Sequence, residues 1–362
     1  MLAPMSAGKA TLIIFRIGSI GDTVVALPCF HAIARAFPHH RRVLLTNALA
    51  SAKESSVESV LQGTGLIDST VYFPVGEGKV RSAAGLVQRL RAQGADTLVY
   101  LTPRTSTLQV YRDLLFFRAA GIRHFIGLPL PPKSLECRVH PQSGMVEHEV
   151  EHLARTLAPD ITVELTDPNW DLRLSGAEVS VAAERLAHLP AHLPLVAMSP
   201  GAKIAAKDWG EQNWAALIDQ LQERLPPMSI VFVGAPSEHS LVRRLVERWS
   251  GPWINLCGEL TPRESAAALG KCALLVCHDS GPMHLAVSQG TPCVALFGSY
   301  NRPRQWFPYG EQHRVLHEPR GVQAIRVDAV TEAMAASLPT VHRVPDRSLR
   351  QRIVPLSAAG RH

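Results

Sequence analysis

The chain contains no apolar run of the roughly 18 residues that a membrane-spanning helix needs. Its first apolar stretch, Thr11 to Phe15, runs straight into Arg16 and Asp22, so no signal peptide is expected. None of the six cysteines (Cys29, Cys137, Cys257, Cys272, Cys277, Cys293) forms a Cys-x-x-Cys pair. Several sit in apolar runs, where a free thiol behaves as a small hydrophobe, so a reducing compartment without disulfides is expected. The sixteen histidines look scattered, and no metal site is expected among them. Lysine is scarce, and arginine supplies most of the 37 basic residues. No basic block carries interleaved aromatics, so no nucleic-acid partner is expected.

What is present suits a soluble globular protein of two domains: 362 residues, 46% hydrophobic and 19% charged. The net charge of +6 and a sequence pI near 9.1 favour anionic partners such as a phosphorylated substrate or an anionic lipid surface. A plain solvated basic surface explains the same numbers.

Residues Cys277 to Val287 dominate the chain's organisation. A buried strand, Ala273 to Cys277, meets a tight turn at Asp279-Ser280-Gly281. Ser280 stands where an N-cap is expected, and Pro282 suits the first helical position. A helix runs to Ser288, and a second strand follows from Thr291 to Gly298. In such a unit the helix start offers free N–H groups and partial positive charge to a phosphate. An ordinary turn with Asp279 as a cap is the alternative.

The same design opens the chain. Thr11 to Phe15 reads as a strand, Arg16 to Thr23 as a glycine-containing turn, and Val24 to Phe37 as a helix stopped by Pro38. Its Gly-x-x-Gly-Asp spacing is not the dinucleotide Gly-x-Gly-x-x-Gly, and the Walker lysine is missing. Gly18 and Gly21 would let backbone approach a ligand. Strands and helices then alternate to the end, predicting parallel α/β sheets covered on both faces. Turn-forming residues between 159 and 175 place a domain boundary there: 1–170, 171–338, and a mobile tail over 339–362. Residues 1–9 read as a loose leader.

Four motifs in order carry a resemblance. Phe15 to Pro28, Pro200-Gly201-Ala202 with Lys207-Asp208-Trp209, Asp279 to Ala286, and Thr291 through Gly298 with Trp306, Pro308 and Gly310 together resemble the heptosyltransferases of lipopolysaccharide core assembly. The resemblance covers roughly residues 11–335. It implies the GT-B fold, two Rossmann-like domains across a cleft, the first holding the acceptor and the second the nucleotide sugar. It implies inverting, metal-independent transfer of a heptose from ADP-heptose to a lipid-linked saccharide, with no cofactor, at the cytoplasmic face of the inner membrane. The missing Asp-x-Asp motif agrees with this.

Residue by residue, the resemblance makes Asp22 the base and Lys207 the cation for the diphosphate. Ser280, Gly281 and Met283 become backbone donors; Pro282, at the same turn, has no N–H to give. Asp279 would contact sugar hydroxyls, His284 the nucleotide side, and Glu238 the ribose. Ser199, Ala202 and Lys203 line the neighbouring turn; Lys203 departs from the small or hydroxyl residue common in the family. Arg104, Arg112 and Arg123 are acceptor candidates, because arginine forks suit carboxylate and phosphate. The Asn301 to Gln305 insert departs from the common spacing and leaves the sugar open. The alternatives are transfer of another nucleotide sugar, or noncatalytic nucleotide-sugar binding.

Overall fold

The computed structural model describes residues 9–48, 57–73, 79–104, 106–130 and 135–338. The expected leader, but for residue 9, and the expected tail lie outside the described residues.

Two parallel sheets organise the chain. The first contains β1 (Thr11–Phe15), β2 (Arg41–Asn47), β3 (Ser69–Phe73), β4 (Thr97–Tyr100) and β5 (His124–Ile126), in the order β3-β2-β1-β4-β5. The second contains β6 (Leu195–Ser199), β7 (Ser229–Phe232), β8 (Trp253–Asn255), β9 (Leu274–His278), β10 (Cys293–Phe297) and β11 (Arg314–His317), in the order β11-β10-β9-β6-β7-β8. In each sheet the order reverses beside the first strand, between β1 and β4 and between β6 and β9. Ligands of open parallel sheets bind at the carboxyl ends of strands at such reversals. The turns after β1, β6 and β9 are therefore where a site belongs, and they carry the sequence motifs.

Strand alternation divides the core into layers. Leu12 and Ile14 face a central apolar layer, while Ile13 and Phe15 face an outer one. Ala197 and Leu275 of the second sheet join the same central layer, while Val196 and Met198 face away from it. One apolar layer thus runs between the two sheets. Arg263, buried at the start of α10 (Pro262–Leu269), pins that layer. Its guanidinium donates to the carbonyls of Val60, Leu172 and Arg173 and to Glu178. The expected boundary at 170/171 falls between α6 (Glu149–Leu157) and α7 (Gly176–Leu186).

Two local expectations are corrected. The single helix expected from Val24 to Phe37 is two: α1 (Ile20–Val25) and α2 (Leu27–Ala36), broken at Ala26 because Pro28 in the first turn of α2 brings no N–H. The second sheet also gains β11, an edge strand that is short and half exposed, with no apolar run to announce it. The capping box at Thr261 and Glu264 forms as expected.

Candidate active site

The first half of the site is the turn after β1. Gly18 takes φ +152°, and a Cβ there would lie 2.4 Å from Asp22 Cβ, so only glycine lets the chain fold back on Asp22. Asp22 Oδ2 accepts from the Ser19 N–H and hydroxyl, each at 2.7 Å. The carboxylate therefore serves as the acid of a capping box through one oxygen, and the other has no hydrogen-bond partner among the described residues. Beneath it Arg16, fully buried, donates to the carbonyls of Leu101 and Asp22. Sequence reasoning passed over Arg16 as a turn residue. A fully buried arginine reaching two carbonyls shows itself only once β1 and β4 lie side by side.

The second half comes from the turns after β6 and β9. Trp209 is buried, its indole N–H donates to the Ile325 carbonyl, and its ring meets Trp214 edge-on at 5.2 Å. Its backbone N–H donates to His278 Nε2 at 3.0 Å, so the proton of that ring sits on Nδ1, which faces the Gly201 carbonyl at 3.3 Å. His278, fully buried and held neutral by burial, thereby ties the loop over 201–209 to the end of β9. Two residues before the Trp209 anchor, Lys207 Nζ lies 2.6 Å from Asp279 Oδ2 and 5.0 Å from the centre of the Tyr300 ring. Asn301 donates to the same Asp279 oxygen. Burial pushes the Asp279 carboxyl up, aided by nearby Asp22, and outweighs the downward pull of Lys207 and Asn301. Trp209, His278, Tyr300 and Asn301 were not among the site residues expected from sequence.

α11 (Gly281–Ser288) starts beside this pair. Ser280 occupies the N-cap position, yet its hydroxyl makes no cap bond and leans on the His278 carbonyl at 3.4 Å. Pro282 lies one residue further in than expected, after Gly281. Met283 has its side chain fully buried and can offer only backbone. His284 is buried against Gly21, where an added Cβ would come within 2.8 Å of its ring; Gly281 packs on Ile20. Burial pushes His284 down to about 4, with Asp22 opposing and Lys207 and His313 adding to the fall. Asp22, Lys207, Asp279 and His284 thus share one electrostatic neighbourhood at two facing helix starts.

Glu238 follows β7. A Cβ at Gly201 or Gly234 would fall 2.0 Å from its carboxyl group, so both glycines make room for it. Its Oε2 is buried without a hydrogen-bond partner among the described residues, and burial raises its pKa. Ser199 ends β6 in a buried position, Ala202 is half-buried and Lys203 exposed.

The arginines separate. Arg104 lies near the end of β4 and pairs with buried Asp113 at 2.6 Å, also donating to Tyr100 at 3.0 Å. Arg112 holds the other oxygen of Asp113 at 2.9 Å and stays exposed. Both belong to the scaffolding of α5 (Thr107–Ala119). Arg123 immediately precedes β5, at the amino edge of the sheet, while the site turns lie at the carboxyl edge. The structure does not bring it to the cleft.

The model of glycosyltransferase family 9 (heptosyltransferase) matches residues 84–332. Lipopolysaccharide heptosyltransferase 2 of Escherichia coli is 26% identical over 185 residues, 50% of this chain and 51% of that protein. Lipopolysaccharide heptosyltransferase 3 of E. coli is 23% identical, covering 80% of this chain and 83% of its own. The chain spans about half the length of the first curated relatives it matches. Among solved structures, a family 9 glycosyl transferase of Veillonella parvula superposes with TM-score 0.70 at 20% identity, covering 92% of this chain and 98% of that one. E. coli heptosyltransferase WaaC with ADP gives 0.63 at 17%, covering 90% and 99%. The fold is GT-B, two parallel α/β sheets as expected, and with a family model spanning more than half of its length the chain belongs to glycosyltransferase family 9, the heptosyltransferases.

Proposed function

We propose that this chain is an inverting, metal-independent glycosyltransferase that moves a heptose from ADP-heptose to a lipopolysaccharide core acceptor. The observation that carries the reading is the meeting of Asp22 with the Lys207–Asp279 pair at two facing helix starts. Asp22 uses one oxygen to hold its own turn, and the other takes the proton of the acceptor hydroxyl as that oxygen attacks the anomeric carbon. The leaving diphosphate carries negative charge, which Lys207 and the first N–H groups of α11 meet. The Ser280 hydroxyl adds a donor; Pro282 brings none. Glu238, which has one buried oxygen unpartnered among the described residues, reads the ribose hydroxyls in this proposal. Asp279 takes sugar hydroxyls, and Ser199, Ala202 and Lys203 line the donor side. The relatives' names support the sugar and the acceptor, and one solved neighbour holds ADP.

A peripheral position on an anionic membrane is part of the reading. α5 shows one exposed face with Leu108 (79% exposed), Tyr111 and Leu115 (70%), and Arg112 and Arg118 stand on the same side. No helix among the described residues is long and apolar enough to cross a membrane.

Calorimetry with ADP, UDP, GDP and CMP, with and without EDTA, tests the donor. Selective ADP binding that EDTA leaves unchanged, followed by consumption of ADP-heptose in the presence of a core acceptor, is the expected result. Selective binding of another nucleotide keeps the mechanism and rejects the donor. Asn301, from the insert, bonds to Asp279 and is the residue that favours this second outcome. Binding of none of the four removes the transferase reading.

A further inference from the structure

The histidines are not all scattered: His148-Glu149-Val150-Glu151-His152 has the His-Glu-x-x-His spacing. The structure does not use it in the usual way. His148 is the N-cap of α6; its Nδ1 accepts from the Val150 N–H at 3.2 Å and its Nε2 donates to the Phe307 carbonyl at 2.6 Å. Both ring nitrogens are engaged, so His148 is no ligand.

The other two residues meet a third. Glu149 and His152 stand three apart on α6, on one helix face. Cys137 reaches them from the segment over 135–148, which holds one isolated bridge, Val139 to Val146, and no helix or strand. Cys137 Sγ lies 3.7 Å from Glu149 Oε2 and 3.5 Å from His152 Nδ1, and those two atoms are 4.0 Å apart. The circle through the three atoms has a radius of about 2.2 Å, which matches zinc bond lengths of roughly 2.0–2.3 Å to sulfur, nitrogen and oxygen. All three side chains are buried.

The Glu149 carboxylate meets Cys137 and His152 through Oε2, and its other oxygen is left incompletely satisfied. Glu149 is 1% exposed, and its Oε1 has no hydrogen-bond partner among the described residues. A carboxylate oxygen in that position is poorly satisfied by the protein alone. Gln305 donates to Glu149 Oε2 at 3.1 Å, and the Gln305 carbonyl accepts from the Glu149 N–H at 2.9 Å. Those bonds orient the carboxylate as outer partners orient metal ligands. Beside His152 lies a cavity of about 20 Å³, enough for one water, lined also by Leu135 and Arg104.

We propose that Cys137, Glu149 and His152 bind one zinc-class divalent cation, with water as the remaining ligand. Binding displaces the Cys137 thiol proton to solvent and leaves a thiolate and a carboxylate to neutralise the ion. The cation fastens the 135–148 segment to α6, in the half of the protein that carries Asp22. It takes no part in sugar transfer.

The test is a Co²⁺ titration of the untagged full-length chain after chelator treatment. One equivalent should give tetrahedral-type visible bands with a thiolate-to-cobalt charge-transfer band. Zn²⁺ should displace it and raise the melting temperature. The charge-transfer band should vanish in Cys137→Ser, and Gln305→Ala should weaken Co²⁺ about 10–100-fold. Absence of the band in the wild-type chain, or its persistence in Cys137→Ser, overturns the proposal and leaves a hydrogen-bonded trio. Where Cys137→Ser does not fold by circular dichroism, the isosteric Glu149→Gln decides: unchanged Co²⁺ affinity overturns the site, and a clear loss upholds it.

Discussion

Lys207 and Asp279 stand 72 residues apart in the chain and 2.6 Å apart in the cleft. Neither is free to act alone. Removing the lysine leaves a mostly buried carboxylate with Asn301 as its only side-chain donor among the described residues. Lys207→Ala should therefore destabilise the fold by an amount between the ~1 kcal/mol of an exposed pair and the ~3–5 kcal/mol of a buried one. The double variant Lys207→Met with Asp279→Asn should recover most of that melting temperature and none of the turnover. Recovery of both would show that the pair is scaffolding.

Asp22→Asn keeps an oxygen for the Ser19 bonds and removes the base. Turnover should fall about 10²–10⁴-fold, with the melting temperature and ADP affinity nearly unchanged. A drop below tenfold in a steady-state assay would reassign the proton acceptor.

Gly21→Ala tests the contact between the two halves rather than the chemistry. The added methyl meets the His284 ring at 2.8 Å, so α1 and α11 must part. Activity should fall while ADP binding, built on the second sheet, is retained. Full activity would mean that the ring can move aside.

His148 and His284 are both pushed down to about 4 by burial. Each is neutral in the folded chain and takes up a proton near its ordinary 6.5 when unfolded. The stability tied to each is fully present above pH 6.5 and is lost as pH falls towards 4. In that window each contributes a slope of up to about 1.4 kcal/mol per pH unit. His148→Asn, which keeps an N-cap side chain, should flatten the acid limb of a stability-against-pH curve. An unchanged limb would place the acid sensitivity elsewhere.

The exposed α5 face predicts association with anionic vesicles. Leu108→Ser with Leu115→Ser should reduce co-sedimentation while leaving ADP binding intact. Arg112→Gln should reduce it further at low salt, less so at high salt. Equal sedimentation of all variants would remove the helix from any membrane contact.

Most of the architecture could be read from the chain, because central parallel strands are buried on both faces and appear as unbroken apolar runs such as Leu274 to Cys277. The turns were legible for a related reason. Gly18, Gly21, Gly201 and Gly281 sit where backbone must come close to something, and a glycine at such a point is visible without knowing what it approaches. Less legible was everything decided by long-range pairing. Arg104 reads as an anion receptor until Asp113, on the next helix, is seen to hold it. Arg123 reads as a strand-end arginine, and only the direction of β5 shows which end. The His-Glu-x-x-His spacing shows the reverse hazard: the spacing is present, and the helix begins one residue too late for His148 to use it. Glu149 and His152 find their partner at Cys137, at a distance along the chain that no short pattern records.

All six cysteines are buried, and they are shared between the halves: Cys29 and Cys137 lie with the first sheet, Cys257, Cys272, Cys277 and Cys293 with the second. A folded chain is therefore silent to thiol reagents. Each cysteine becomes a native reporter, labelled only when its own surroundings open, so that timed labelling followed by peptide mapping would rank the two halves by how often each comes apart. A single cysteine introduced on the surface would stand out against that silent background, with no native residue needing to be removed.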